Sequence, residues 1–169
     1  LSGLEANWKN SGEMENQGFD VTLTGRLIDR KDWKWTVGAS AGHYDNEITS
    51  LPSGSFVTEL YGGNILSQVG TAAGVFYGYK TDGVFSTTEE AESAALFQTD
   101  ETGAKTYFRA GDMKFVDVNG DHEINEADMQ VIGDPNPELY GNIFTNVRWK
   151  NLSLDVVFNY SLGNDVYNY

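Results

Sequence analysis

The stretch "LSLDVVFNYS", Leu152 to Ser161, sets Leu152, Leu154, Val156, Phe158 and Tyr160 against Ser153, Asp155, Asn159 and Ser161. A period of two puts these groups on opposite faces of an extended chain, one apolar and one wet. The segment before it repeats the design: in "ELYGNIFTNVRW", Leu139, Ile143, Val147 and Trp149 stand opposite Asn142, Asn146 and Arg148. A short link at Lys150 and Asn151 makes the pair a hairpin. Near the other end of the chain, "GFDVTLTGRLI" alternates Phe19, Val21, Leu23 and Leu27 with Asp20, Thr22, Thr24 and Arg26, "DRKD" turns, and "WKWTVGASAGHY" returns with Trp33, Trp35, Val37, Ala39 and Ala41 on one side. Strands of about ten residues with aromatics near their ends, tight turns on one side and a long excursion on the other suit an outer-membrane β-barrel. Alternation alone suits a soluble antiparallel sheet with one face on a core equally well.

The fold expected is therefore mainly β, with antiparallel amphipathic hairpins at 1–45 and 139–169 and an insert at 46–138. Charge marks the insert off. Residues 80–138 carry 14 acids against 4 bases, most of the whole chain's net charge of −14. "GVFYGYKTDGVF" suits short strands or turns, and Tyr77, Tyr79 and Phe85 within it are candidates to stack on a ligand or partner, or to pack the insert's own small core. "STTEEAESAALF" is the helix candidate: Thr87 and Glu90 form a capping box, and Ala91, Ala94, Ala95 and Phe97 follow. "QTDETGAKT" reads as a loop pivoting on Gly103.

Inside the insert, "DVNGDHEINEAD" (Asp117 to Asp128) has the ligand spacing of an EF-hand-type loop. Side chains of Asp117, Asn119, Asp121 and Asp128 and the backbone carbonyl of Glu123 are the expected calcium ligands, with Asn125 placed to bind through water and Ile124 as the apolar anchor. His122 stands where such loops usually carry Gly. The twelfth place holds Asp rather than the longer Glu, as in dockerin-type loops. The competing reading is an Asx-rich turn without metal.

Other function classes find little support. A pI of about 4.3 without a basic stripe argues against nucleic acid. With no cysteine, disulfides, thiolate chemistry and zinc clusters drop out, and His43 and His122, with no Cys and no i, i+4 His pair, give a catalytic zinc site little support. No nucleophile elbow or phosphate-binding loop occurs, so an enzyme is not expected. The opening "LSGLEANWKN" shows no leader pattern, and a chain that starts without Met and stops in mid-pattern at "DVYNY" reads as an excised fragment.

Taken in order, "NSGEMENQGFDVTL", "GVFYGYKTDGVFSTTEEAES", "GDMKFVDVNGDHEINEADMQVIGDPNPELYGN" and "SLGNDVYN" resemble the C-terminal barrel region of the SusC/RagA family of TonB-linked outer-membrane proteins. The resemblance implies that the hairpins are segments of a wall of about 22 strands and that the insert is extracellular. It also implies a parent that imports glycans, polysaccharides or peptides with a SusD-like lipoprotein as lid and TonB as energy source. The alternative is a calcium-stabilised extracellular β domain for adhesion or glycan binding.

Overall fold

The computed structural model describes residues 12–168. The opening "LSGLEANWKN", the start of the 1–45 region and Tyr169 lie outside them. In chain order the elements are β1 (Glu13–Arg30), β2 (Trp33–Ser50), β3 (Ser55–Leu60), β4 (Gly63–Gln68), β5 (Val75–Tyr79), β6 (Thr81–Val84), α1 (Thr88–Ala94), β7 (Phe97–Thr99), β8 (Lys105–Tyr107), β9 (Met113–Phe115), β10 (Met129–Gly133), β11 (Leu139–Trp149) and β12 (Leu152–Leu162). The fold is mainly β and its strand pairs are antiparallel. Two compact units divide the chain.

One unit holds the described residues up to Phe56, with Ser67–Gly74 and Asp134–Asn168. Its centre is a four-stranded sheet in the order β1-β2-β11-β12. Phe19 pairs with His43, Val21 with Ala41 and Leu23 with Ala39. Ala39 pairs in turn with Ile143, and Ile143 with Phe158. Because side chains alternate across each strand, these pairings collect the apolar rows of all four strands on one face. The expected alternation fails at one place, Leu27. The register slips between Arg26 and Ile28, so Ile28 takes the place opposite Trp35, as an extra residue in one strand does. β2 also runs on to Ser50.

On the polar face, small residues in β2 make room for large ones in β11. A side chain at Gly38 would run into the Phe144 ring, and one at Gly42 into Tyr140 and Asp20. On the apolar face Gly141 is tighter still, since a Cβ there would meet the backbone oxygen of Ser40, to which the Tyr160 hydroxyl donates at 2.9 Å. Where the strands are tied at their turn end, the Lys150 amide donates to the Asp32 carbonyl at 2.9 Å, joining the β1–β2 and β11–β12 turns. At the other end a polar clasp closes the unit. The Asp134 amide donates to Asp165 Oδ2 at 2.9 Å, Asn136 Nδ2 to the Ala73 carbonyl at 3.0 Å, and the Ala73 amide to Asn46 Oδ1 at 2.6 Å.

The second unit holds Val57–Leu66 and Val75–Gly133. Most of a small sheet ordered β10-β5-β4-β3 lies here, with the two-stranded pairs β6-β9 and β7-β8. Helix α1 starts where the sequence predicts: Thr87 Oγ1 accepts the Glu90 amide at 3.1 Å. The return arm differs from the expected box, because Glu90 Oε2 accepts from the Ser86 amide at 3.0 Å. The helix ends one residue before Ala95, which takes a left-handed conformation at φ 54°. Phe97, expected on the helix, is instead the first residue of β7, paired with Tyr107. The expected loop "QTDETGAKT" forms the β7–β8 hairpin, whose turn closes on Asp100 Oδ1 as acceptor from the Thr102 and Ala104 amides. The unit's core is Phe85, Ala91, Leu96 and Ile124, flanked by Ala94, Phe108 and Phe115.

Candidate functional site

The loop Asp117–Asp128 is built from amide donors turned onto its own acids. Asp117 Oδ1 accepts from the Gly120 amide at 2.7 Å, and its Oδ2 from the His122 amide at 2.9 Å. Asn119 Oδ1 accepts from the Asp121 amide at 3.0 Å, while Asp121 Oδ1 accepts from the Glu123 amide at 2.8 Å. Burial works against the charged form of Asp117. The His122, Gly120 and Asp121 amides outweigh it, helped by the His122 charge, and hold the carboxyl below the usual aspartate range.

Two left-handed residues give the loop its tight path, Gly120 at φ 77° and His122 at φ 66°. Histidine visits this region more readily than most side chains. Its ring gains a contact there, because Nδ1 lies 3.0 Å from the Ala94 carbonyl at the end of α1. On the far side of the loop, the Phe97 amide donates to the His122 carbonyl and the Ile124 amide to the Phe97 carbonyl, each at 2.9 Å. Ile124 is buried in the core. The loop is thus bolted to α1, to β7 and to the apolar centre of its unit.

Asp128, at the twelfth place, is the chain's fully buried acid among the described residues, at 0% exposure. Its two oxygens accept from the Val118 and Asn125 amides, each at 2.9 Å. None of the ion pairs among the described residues involves it. Asn125 caps the turn that follows: its Oδ1 accepts from the Ala127 amide at 2.8 Å, at the start of a single 3-10 turn over Glu126–Asp128.

The donors available to an ion are all hard oxygens: the side chains of Asp117, Asn119, Asp121 and Asp128 and the Glu123 carbonyl. That chemistry and the left-handed sixth residue fit a calcium loop. Among the described residues, however, no three acidic or imidazole side chains gather as a cluster. Each acid is closed onto a backbone amide.

The aromatic candidates separate. Phe85 is 1% exposed and packs the core. Tyr77 and Tyr79 lie two apart on β5, opposite Val131 and Met129 of β10. Tyr79 is 36% exposed, its ring edge-on to Phe115 at a centroid distance of 5.8 Å. Burial, then the Glu126 and Asp128 charges, raise its hydroxyl pKa.

In the other unit the apolar face of the sheet is bare. Leu23 is 71% exposed, Leu152 65% and Phe158 67%. Burying these three side chains is worth roughly 1.5–3 kcal/mol each, which together rivals the stability of a marginal domain. Strands β11 and β12 each have 11 residues, the length a tilted strand needs to cross the hydrocarbon layer. No described helix is long and apolar enough to cross a membrane, a test that does not bear on strands.

No family model matches the chain. It is 30% identical over 175 residues to TonB-dependent receptor P3 of Formosa agariphila, a match covering 99% of this chain and 17% of the relative. TonB-dependent receptor P26 of the same organism is 32% identical, with 99% and 17% covered. TonB-dependent receptor SusC of Bacteroides thetaiotaomicron is 26% identical, with 94% and 15% covered. Among solved structures, the chain aligns with the RagAB peptide transporter at a TM-score of 0.58 and 24% identity, covering 96% of this chain and 16% of that one. The RagAB importer in its closed-closed state gives a TM-score of 0.61 at 22% identity, with 96% and 17% covered. At these identities the solved structures speak for the fold alone. The chain spans about a sixth of the length of the curated relatives it matches.

Proposed function

The resemblance to SusC/RagA-type receptors read from the order of motifs is matched by relatives named TonB-dependent receptor and SusC, and from that premise we propose that this chain is one stretch of wall and outer loop in a TonB-dependent outer-membrane transporter. The observation that carries the reading is the uncovered apolar face shared by β1, β2, β11 and β12. A soluble adhesion or glycan-binding domain, the alternative, has to hide such a face on a core. A wall segment turns it to lipid.

In this proposal the full-length receptor admits an oligomeric nutrient, a glycan or a peptide, driven by TonB and capped by a SusD-like lipoprotein. The RagAB structures carry peptide transport in their names, and the substrate of this chain's receptor belongs to the same broad class of oligomers. No step assigns catalysis to the chain, in keeping with relatives that are named receptors.

The second unit is the outer loop, with Tyr77 and Tyr79 as its candidate contacts to substrate or lid. Calcium braces it in this reading, held by Asp117, Asn119, Asp121, Asp128 and the Glu123 carbonyl. The support is the buried Asp128 carboxyl, which has two amide donors but joins none of the ion pairs found among the described residues, since burying a carboxylate away from any cation is costly. When bound, the ion would supply only charge compensation and stiffness.

Deleting residues 80–136 from the full-length receptor, with its surface level verified, tests the loop assignment. Growth on the cognate oligomer and capture of the lipoprotein are expected to fall, with growth on glucose unchanged. Survival of both uptake and capture would reduce the insert to a structural cap.

A further inference from the structure

Six of the chain's 11 basic residues, Arg26, Arg30, Lys31, Lys34, Arg148 and Lys150, lie within a few positions of the two tight turns of the four-stranded sheet. In a chain of net charge −14 this is a local inversion. Two of the six are already answered: Arg26 and Lys34 flank Asp29, at 2.9 and 3.9 Å. Arg30, Lys31, Arg148 and Lys150 make none of the ion pairs found among the described residues.

Between the turns lies an open pocket of about 450 Å³ lined by Lys31, Asp32, Trp33, Lys34, Arg148 and Lys150, with Asn151. Four cations stand around one carboxylate there, Lys34 and Arg148 as direct partners on the polar face of the sheet and Lys31 and Lys150 in the two turns. The floor is fixed rather than loose, because the Lys150 amide is hydrogen-bonded to the Asp32 carbonyl at 2.9 Å. Aromatic rings sit one layer below. Trp33 and Trp149 are direct register partners, and Arg30 and Leu152 complete that row on the apolar face. Lys150 leans the same way, its Nζ 5.3 Å from the Trp149 ring centroid. A tryptophan row on a lipid-facing sheet marks the level of the headgroups. Cations one or two residues beyond it, about 3–7 Å further along the strand, stand at the depth of lipid phosphates.

We propose that this rim is a binding site for the phosphate of an anionic phospholipid headgroup in the leaflet at the tight-turn end, with Lys31 and Lys150 as the phosphate contacts, Arg30 flanking in the tryptophan row, and Trp33 and Trp149 against the acyl boundary. The site rests on the membrane-wall reading above. Its ligand class follows from charge complementarity and from the adjoining apolar row, which a free phosphate ion would leave unused.

The test uses the full-length receptor purified in detergent, with native mass spectrometry to count retained lipid and heat-modifiable gel mobility to report the intact barrel. Phosphatidylglycerol, phosphatidylcholine and inorganic phosphate are titrated against the wild type and against the double variant Lys31→Gln, Lys150→Asn. Asparagine accepts the left-handed conformation that Lys150 holds at φ 49°. Phosphatidylglycerol is expected to bind the wild type in preference to phosphatidylcholine, with salt weakening it, and to bind the double variant roughly thirtyfold less tightly, the loss expected for two cations at a charged surface. Equal retention by wild type and variant in a barrel of normal mobility overturns the site while leaving the wall reading intact. Inorganic phosphate competing at the lipid's own concentration overturns the lipid as ligand. A receptor that forms no heat-modifiable barrel overturns both readings.

Discussion

His122 occupies a position where the spacing of the loop calls for glycine, and it does so with a backbone that only glycine adopts freely. At φ 66° the side chain carries a conformational cost, partly returned by the ring's contact with the Ala94 carbonyl. Replacement by alanine keeps the cost and loses the contact; replacement by glycine loses both. His122→Ala is therefore expected to destabilise the loop by about 1–2 kcal/mol more than His122→Gly, measured by hydrogen exchange at the Asp117–Asp128 amides of the full-length receptor. Equal protection in the two variants would mean that the left-handed backbone carries no strain. The same amides report on calcium. At about 100 Kd of ion, protection is expected to rise by ~2.7 kcal/mol over chelator, and Asp121→Ala is expected to abolish the rise. Identical exchange with and without calcium in the wild type would leave an Asx turn. The loop was legible at this scale because acids at fixed spacing are written into the sequence. The use of both Asp128 oxygens on the Val118 and Asn125 amides was not, since it depends on how the chain closes over them.

Strand period was the strongest signal in the chain, and it located all four strands of the larger sheet. It missed where the alternation breaks, because a bulge such as that between Arg26 and Ile28 leaves no composition of its own. It also missed the shortest pieces. β7 and β8 have three residues each, too few to show a period, and the turn acid Asp100 between them reads equally as loop. Nor does period reveal which glycines are obligatory, which is decided across strands. Gly25 has nothing within 4 Å of a built Cβ, whereas Gly141 faces the Ser40 carbonyl oxygen. Backbone cannot swing aside as a side chain can, so Gly141→Ala is expected to cost about 1–3 kcal/mol in folding stability, whereas Gly25→Ala, which meets no clash, is expected to gain up to about 1 kcal/mol by removing glycine's strand penalty. Urea unfolding of the two variants in the same lipid compares them directly. Similar midpoints would show that β2 and β11 are not held at this distance.

For the molecule as a whole, the acidic composition and the order of motifs pointed to a wall with an outer loop. What the sequence did not show was the inverted charge at the turns, because Arg30, Lys31, Arg148 and Lys150 come together only through the β2–β11 pairing. In the transporter reading proposed above, the apolar face meets lipid. Val156 lies on that face, opposite Thr145 and next in line to Leu154 and Phe158, while Asn159 lies on the other, opposite Asn142. The most direct measurement is the unfolding free energy of the full-length receptor in bilayers with arginine at each position in turn. Val156→Arg is expected to cost about 2–4 kcal/mol and Asn159→Arg less than 1 kcal/mol; equal costs at the two positions, or a larger one at Asn159, would contradict a membrane wall.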